Sequence, residues 1–137
     1  IPLAIEASKQ NRTFKLFGTK YPTEDGTCVR DYVHVMDLAD AHVKSLNYAF
    51  EKKVAEVFNL GSGSPVSNKE LLDTIQRHTG KMDIKFEPNR AGDPAYLVAD
   101  ITKVKQILDW EPTQSSIDNV VATALKWYNK IHKKDIQ

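Results

Sequence analysis

Residues 14–42 read FKLFGTKYPTEDGTCVRDYVHVMDLADAH, and the architecture follows from the order of parts within them. Phe14 and Leu16, with the neighbouring Phe17, predict a short apolar strand that stops at Gly18. The segment from Thr19 to Thr27 holds Pro22 and an Asp25-Gly26 pair, the chemistry of a turn. Val29–Val35 then predicts a second strand, and Asp37 is suited to cap a helix running from about Leu38 to Lys52. Leu38, Ala41, His42, Ser45, Leu46 and Ala49 fall on one face of that helix. This succession can present a strand's backbone edge and a guanidinium to one anionic ligand.

Working outward, Leu3, Ile5 and Ala7 predict a short helix ending near Asn11. Downstream, Glu56–Leu60 predicts a strand that runs into Gly61-Ser-Gly63. Ser67 caps a further helix and Glu70 completes a capping box. Leu71, Leu72, Ile75 and His78 supply its helical period, and Gly80 ends it. Ile84–Phe86 predicts a strand, Pro88–Pro94 a loop, and Thr102–Leu108 and Ile117–His132 two last helices, the final one with an apolar stripe of Leu125, Tyr128 and Ile131. Strands alternating with helices over short connections predict an α/β (mixed α+β) layer structure, with residues 1–137 forming one domain. No repeat, low-complexity segment or linker interrupts it.

Composition narrows the function. The net charge of +1 gives no global field for nucleic acid or a membrane surface, so neither is an expected partner. The one basic cluster, Lys130, Lys133 and Lys134, reads as a solvated helix end favoured by the helix dipole. The single cysteine, Cys28, excludes an internal disulfide and fits a reducing compartment. With no apolar run of membrane-span length and no signal peptide, a soluble cytoplasmic protein is expected. The chain opens on Ile1-Pro2, without methionine and within an amphipathic segment, and is expected to be a fragment of a longer protein.

Three motifs have candidate chemistry. Gly61-Ser-Gly-Ser-Pro-Val66 sits where a dinucleotide-binding turn would sit, but Val66 replaces the third glycine and Pro65 interrupts the loop. It reads as a tight strand-to-helix turn whose amides could still touch part of a ligand. Strand alternation puts Arg30, Tyr32 and His34 on one face, where arginine and tyrosine together suit a phosphate. The alternative is an ion pair of Arg30 with Asp31 or Asp37 beside a buried tyrosine. His34 reads as a core histidine bonded to nearby backbone, with no second ligand at zinc spacing. Arg90-Ala-Gly-Asp93, between prolines, offers a second guanidinium and carboxylate, or an ordinary surface turn. No nucleophile motif occurs, Glu24 and Asp25 read as solvated charges, and Tyr48–Lys52 meets Tyr-x-x-x-Lys spacing only by chance, at a helix end.

Together, Phe17-Gly18, Tyr21-Pro-Thr-Glu-Asp-Gly-Thr27, Val29-Arg-Asp-Tyr-Val-His-Val-Met-Asp-Leu-Ala-Asp-Ala-His42, Asn59-Leu-Gly-Ser-Gly63 and Arg90-x-Gly-Asp93 strongly resemble the UDP-glucose 4-epimerase family of extended short-chain dehydrogenase/reductases. The resemblance spans essentially the whole chain, as the C-terminal portion of such an enzyme. It implies the small substrate-binding domain of a Rossmann-type nucleotide-sugar epimerase. The backbone of Lys15, Leu16 and Phe17 would meet the uracil, with Phe17 packed on it. Arg30 and Arg90 would clamp the diphosphate, Tyr32 would line the pocket, and Asp93 would hold the ribose. Leu97, four residues on, would stand beside the sugar, with Tyr96 the alternative in a shifted register. His34 and Asp37 would orient the strand-to-helix turn.

In that family, hydride passes from hexose C4 to a bound NAD, and the 4-keto sugar turns over and takes it back. The NAD site and catalytic Tyr-x-x-x-Lys belong to an N-terminal half that this sequence lacks, and dimers form through that half. The resemblance therefore implies a homodimeric epimerase acting on UDP-galactose and UDP-glucose, and an inert isolated chain. The alternatives are a non-catalytic nucleotide-sugar-binding module, or part of a sister dehydratase, decarboxylase or UDP-N-acetylglucosamine 4-epimerase. The Tyr21–Thr27 loop argues against the sister enzymes.

Overall fold

The computed structural model describes residues 1–132, so Lys133 and Lys134 of the basic cluster lie outside the described residues. Its elements run α1 (Pro2–Lys9), β1 (Phe14–Phe17), β2 (Val29–Asp31), α2 (Val35–Lys52), β3 (Pro65–Ser67), α3 (Asn68–Thr79), β4 (Ile84–Glu87), β5 (Tyr96–Leu97), α4 (Thr102–Leu108) and α5 (Ile117–His132). The mixed α/β expectation holds. β1 pairs in parallel with β4, Phe14 opposite Ile84 and Phe17 opposite Glu87. The second sheet has the order β3-β2-β5, with β3 antiparallel and β5 parallel to β2.

Two apolar clusters hold these pieces. The first joins α1, β1, α3 and α5 through Ala4, Ile5, Leu16, Leu71, Leu72, Ile75 and Val121. The second joins α2 and α4 through Ala41, Ile101, Val104, Leu108 and Trp110. Local signals set several ends. Proline occupies the first turn of α1, where its missing N–H costs nothing. Ser67 Oγ accepts from Glu70 N at 3.0 Å to start α3. Gly80, at φ 95°, ends that helix while its amide donates to Gln76 O.

Three expectations are corrected. The second strand stops at Asp31, and α2 begins at Val35 with His34 as its cap, His34 Nδ1 accepting from Met36 N at 3.1 Å. Asp37 does not cap because its carboxylate is engaged elsewhere: it accepts from Thr113 N (3.0 Å), Gln114 N (2.9 Å) and Ser115 Oγ (2.5 Å). Second, Glu56–Leu60 has the alternation of a strand but no strand partner among the described residues. Phe58 and Leu60 pack on the second cluster while Val57 is 80% exposed. Third, β3 forms where a strand-to-helix turn was expected, and β5 forms where no element was assigned, because their pairing is supplied by β2.

Candidate functional site

An open cleft of about 480 Å³ lies between α1, β1 and the start of α3, with the 88–94 loop beside it. Lys15, Leu16, Phe17, Tyr32, Arg90 and Asp93 all line it. Arg30 and Leu97 do not.

β1 contributes an unpaired edge. Phe14 N donates to Asp83 O and Gly18 N to Glu87 O, both toward β4. Backbone polar groups alternate sides along a parallel strand, so the N–H and C=O of Lys15 and Phe17 face away from β4. Side chains alternate as well. Leu16 enters the first cluster, whereas Lys15 shares a sheet face with Glu87 at 3.9 Å and Phe17 with Arg90. Lys85 holds Glu87 at 3.0 Å and, chiefly through that hydrogen bond, keeps its carboxyl below the usual range. Gly18 closes the strand at φ 81°. A Cβ there would collide with the ring of Tyr21, so the turn's chirality and its packing both require glycine.

The Tyr21–Thr27 loop is fastened rather than solvated. Asp25 accepts from Thr27 N, Thr27 Oγ1 and Ser67 Oγ, which corrects its reading as a free loop charge. Burial alone would raise the Asp25 carboxyl, but these donors outweigh it and hold the group below its ordinary value. The same stitching consumes the amides at the start of α3: Asn68 N goes to Cys28 O, Lys69 N to Thr27 Oγ1, and Glu70 N to Ser67 Oγ. This helix end has no spare donors for an anion.

The guanidinium of Arg90 is differently placed. Its Cζ lies 3.7 Å from the Phe17 ring centroid, and none of the ion pairs among the described residues involves it. Asp93 N donates back to Arg90 O at 3.4 Å, with Gly92 at φ 83° completing the turn. Tyr32 is half-buried and donates to Asn68 Oδ1 at 3.1 Å; burial pushes its phenol up, so it stays a neutral donor.

Arg30 does not form the ion pair that was its alternative role. It pairs with no aspartate, and its Nη1 donates to Val29 O and Pro94 O, each at 2.8 Å. It thereby ties the 88–94 loop to β2. Leu97 sits in β5 opposite Arg30 and is 59% exposed; Tyr96 is exposed on the same strand and lines a separate hollow with Asp25 and Glu70. Asn68 is a cleft residue the sequence reading missed. Its signal was its place just after a helix cap, where a side chain can reach back toward β2.

Asp31 explains the glycine-rich turn. Its carboxylate accepts from Ser62 N (2.6 Å), Gly63 N (3.3 Å) and Ala99 N (3.2 Å), and a Cβ at Gly61 would strike it. The turn wraps a carboxylate of its own chain and leaves those amides no room for phosphate. Tyr48 packs edge-to-face on Phe58, with centroids 6.2 Å apart, as part of the second cluster. No group of three or more His, Cys, Asp or Glu that could hold a metal occurs among the described residues.

Fold and cleft together define a small α/β domain with a strand edge, the Arg90 guanidinium and the neutral Tyr32 phenol on one open cleft. The family model described as GDP-mannose 4,6 dehydratase matches residues 1–123, and the chain belongs to that family. Its similarity there runs to UDP-glucose 4-epimerases. It is 45% identical over 132 residues to that of Rhizobium meliloti (strain 1021), covering 95% of this chain and 40% of the relative. To that of Lactobacillus helveticus it is 46% identical over 123 residues, covering 88% and 37%. The structure of UDP-glucose-4-epimerase from Stenotrophomonas maltophila with bound NAD and formylated UDP-arabinopyranose superposes with a TM-score of 0.91 at 30% identity, over 97% of this chain and 40% of that one. The chain thus spans about 40% of the length of the relatives it matches.

Proposed function

We propose that this chain is the C-terminal, UDP-sugar-binding portion of an NAD-dependent UDP-glucose 4-epimerase, serving cytoplasmic galactose metabolism by interconverting UDP-galactose and UDP-glucose. The observation that carries this reading is the convergence of the free β1 edge, Arg90, Tyr32 and Asp93 on one cleft. The outward backbone groups of Lys15 and Phe17 stand two residues apart, a spacing suited to the alternating acceptors and donor of a uracil edge. Arg90 is the available guanidinium for the diphosphate, and Asp93 the carboxylate for ribose hydroxyls. Arg30 acts first by fixing Pro94, and so the loop that carries Arg90 and Asp93. With Nη1 holding two backbone carbonyls, a direct diphosphate contact would fall to its Nη2 and Nε donors.

Leu97 remains the candidate neighbour of the sugar, although it stands exposed in β5 outside the cleft lining. Leu97→Tyr in the parent enzyme is expected to lower turnover of UDP-N-acetylhexosamine relative to UDP-hexose; an unchanged ratio removes Leu97 as a gate.

The chemistry belongs to the rest of the parent. NAD would accept and return the C4 hydride, and the residues of this chain do not fit it: the only glycine-rich turn among the described residues is occupied by Asp31. An open apolar face supports a seat for the proposed N-terminal NAD-binding domain. Leu46, Phe50, Val54 and Val57 expose apolar surface along α2 and the unpaired 54–60 segment, and an added strand would complete that alternation. The parent's homodimer would then form through its N-terminal part. In isolation the chain is a non-catalytic nucleotide-sugar-binding module. Calorimetric titration with UDP is expected to show binding that Arg90→Ala weakens at least about tenfold, as loss of a charge-assisted contact does. Conversion of UDP-galactose to UDP-glucose by the 137-residue chain with NAD would falsify the assignment of chemistry to the missing portion.

A further inference from the structure

The Tyr21 hydroxyl is buried, and no group among the described residues completes a hydrogen bond with it. A desolvated phenol without a partner is disfavoured in a folded chain, so its surroundings bear on its role. Its ring lies against Gly18 at the end of β1, and the Asn89 carboxamide reaches the same glycine. The ring thus stands where the β1 turn meets the 88–94 loop. Its own backbone is fixed, since Tyr21 N donates to Gly26 O at 2.9 Å and Tyr21 O accepts from Thr23 N at 2.8 Å. Burial pushes the phenol up, the Cys28 thiol and the Asp93 carboxylate push it further, and the Arg90 amide beside it opposes them. The group is therefore a neutral hydroxyl that can accept as well as donate.

The loop beside it is held unevenly. Its stems are tied by Gly18 N to Glu87 O, by Val29 N to Ala95 O and by Arg30 Nη1 to Pro94 O. Between these ties the residues are exposed, and Asp93 N reaches Arg90 O only at 3.4 Å. The middle of the loop can shift while its stems stay in place.

We infer that Tyr21 is a positioning residue for this loop: when a ligand draws Arg90 and Asp93 onto the cleft, the Arg90 amide settles on the Tyr21 hydroxyl and the bond holds both side chains in place. This rests on the UDP-sugar reading of the cleft and deepens it, through a residue that lies outside the cleft lining. A partner gained only in the complex ties the hydroxyl to ligand affinity and not to the stability of the free chain.

Tyr21→Phe keeps the ring against Gly18 and removes the hydroxyl alone. Its urea midpoint is expected at or above that of wild type, because a buried polar group without a partner has been deleted. Calorimetric titration should show UDP bound about 3- to 10-fold more weakly, the range of one neutral hydrogen bond. A merely structural tyrosine would lower both together. Hydrogen exchange reads the bond itself: saturating UDP should slow the Arg90 amide in wild type and leave it unslowed in Tyr21→Phe. A lowered midpoint overturns the inference, since the hydroxyl would then already be bonded in the free chain. UDP affinity within about twofold of wild type, or equal slowing of the Arg90 amide in both proteins, overturns it as well. Failure of wild type to bind UDP would instead overturn the UDP-sugar reading, and the midpoint comparison would still decide whether the hydroxyl is unpartnered in the free chain.

Discussion

The two apolar clusters differ in how completely they are enclosed. Around Ile5 and Ile75, helices α1, α3 and α5 pack with β1 on several sides, and the cleft opens beside them. Around Trp110, α2 and α4 close one side only. On the other, Leu46 is 57% and Phe50 75% exposed, beside a segment with strand alternation and no strand partner. The first region is a finished core that shapes a site. The second is packed on one face only and leaves an apolar surface open on the other.

The strongest test of that contrast is Trp110→Ala. The indole is fully buried, and its Nε1 donates to Asp37 O at 3.2 Å. Truncation should cost about 4 kcal/mol by cavity formation, measured by urea unfolding. A loss below about 1 kcal/mol would mean that the second cluster is not a packed core at all.

Next in size is Asp37→Ala, which strands the amides of Thr113 and Gln114 and should cost about 3 kcal/mol. The same carboxyl gives a pH signature. Burial would raise it, but Ser115, Thr113, Gln114 and the neighbouring His34 hold it below its ordinary value. The unfolded chain therefore binds this proton more tightly than the folded one. The stabilisation is fully present above the unfolded pKa of about 4 and is lost as pH falls through the folded value. Urea midpoints should drop on acidification below about pH 4, and Asp37→Asn should flatten that drop. An identical slope in the variant would assign the effect to other groups such as Asp25.

The smallest stability effect is expected on the open face. Phe50→Ser should change unfolding free energy by less than about 0.5 kcal/mol, because the ring is already solvated. It should nevertheless reduce concentration-dependent self-association in sedimentation velocity. A large destabilisation would show that the face is covered in the isolated chain and would end the contrast.

Local chemistry made much of this legible. Helix α3 was readable because its cap, its glycine and its apolar period act within a few residues of each other, and α4 and α5 from their apolar period. Lys15, Leu16, Phe17, Tyr32, Arg90 and Asp93 were named from a family pattern, and all six border the cleft. β5 was not readable, because two residues become a strand only when β2 lies beside them. Nor was the helix start: both His34 and Asp37 can cap, and the choice fell to Thr113–Ser115, some 76 to 78 residues away.

The amino-acid order alone accounts for most of the helices, the first strand with the glycine that ends it, and the family to which the chain belongs, since each of these is written in short-range residue chemistry. Tertiary contact decided what the three key charges do. Asp31 turned inward to satisfy the amides of a distant turn, Arg30 was spent on a carbonyl 64 residues on, and Arg90 came to rest on Phe17 with its donors free. The reason is physical: a charged side chain takes its partner from whatever the fold brings within a few ångströms, and separation along the chain does not encode that distance.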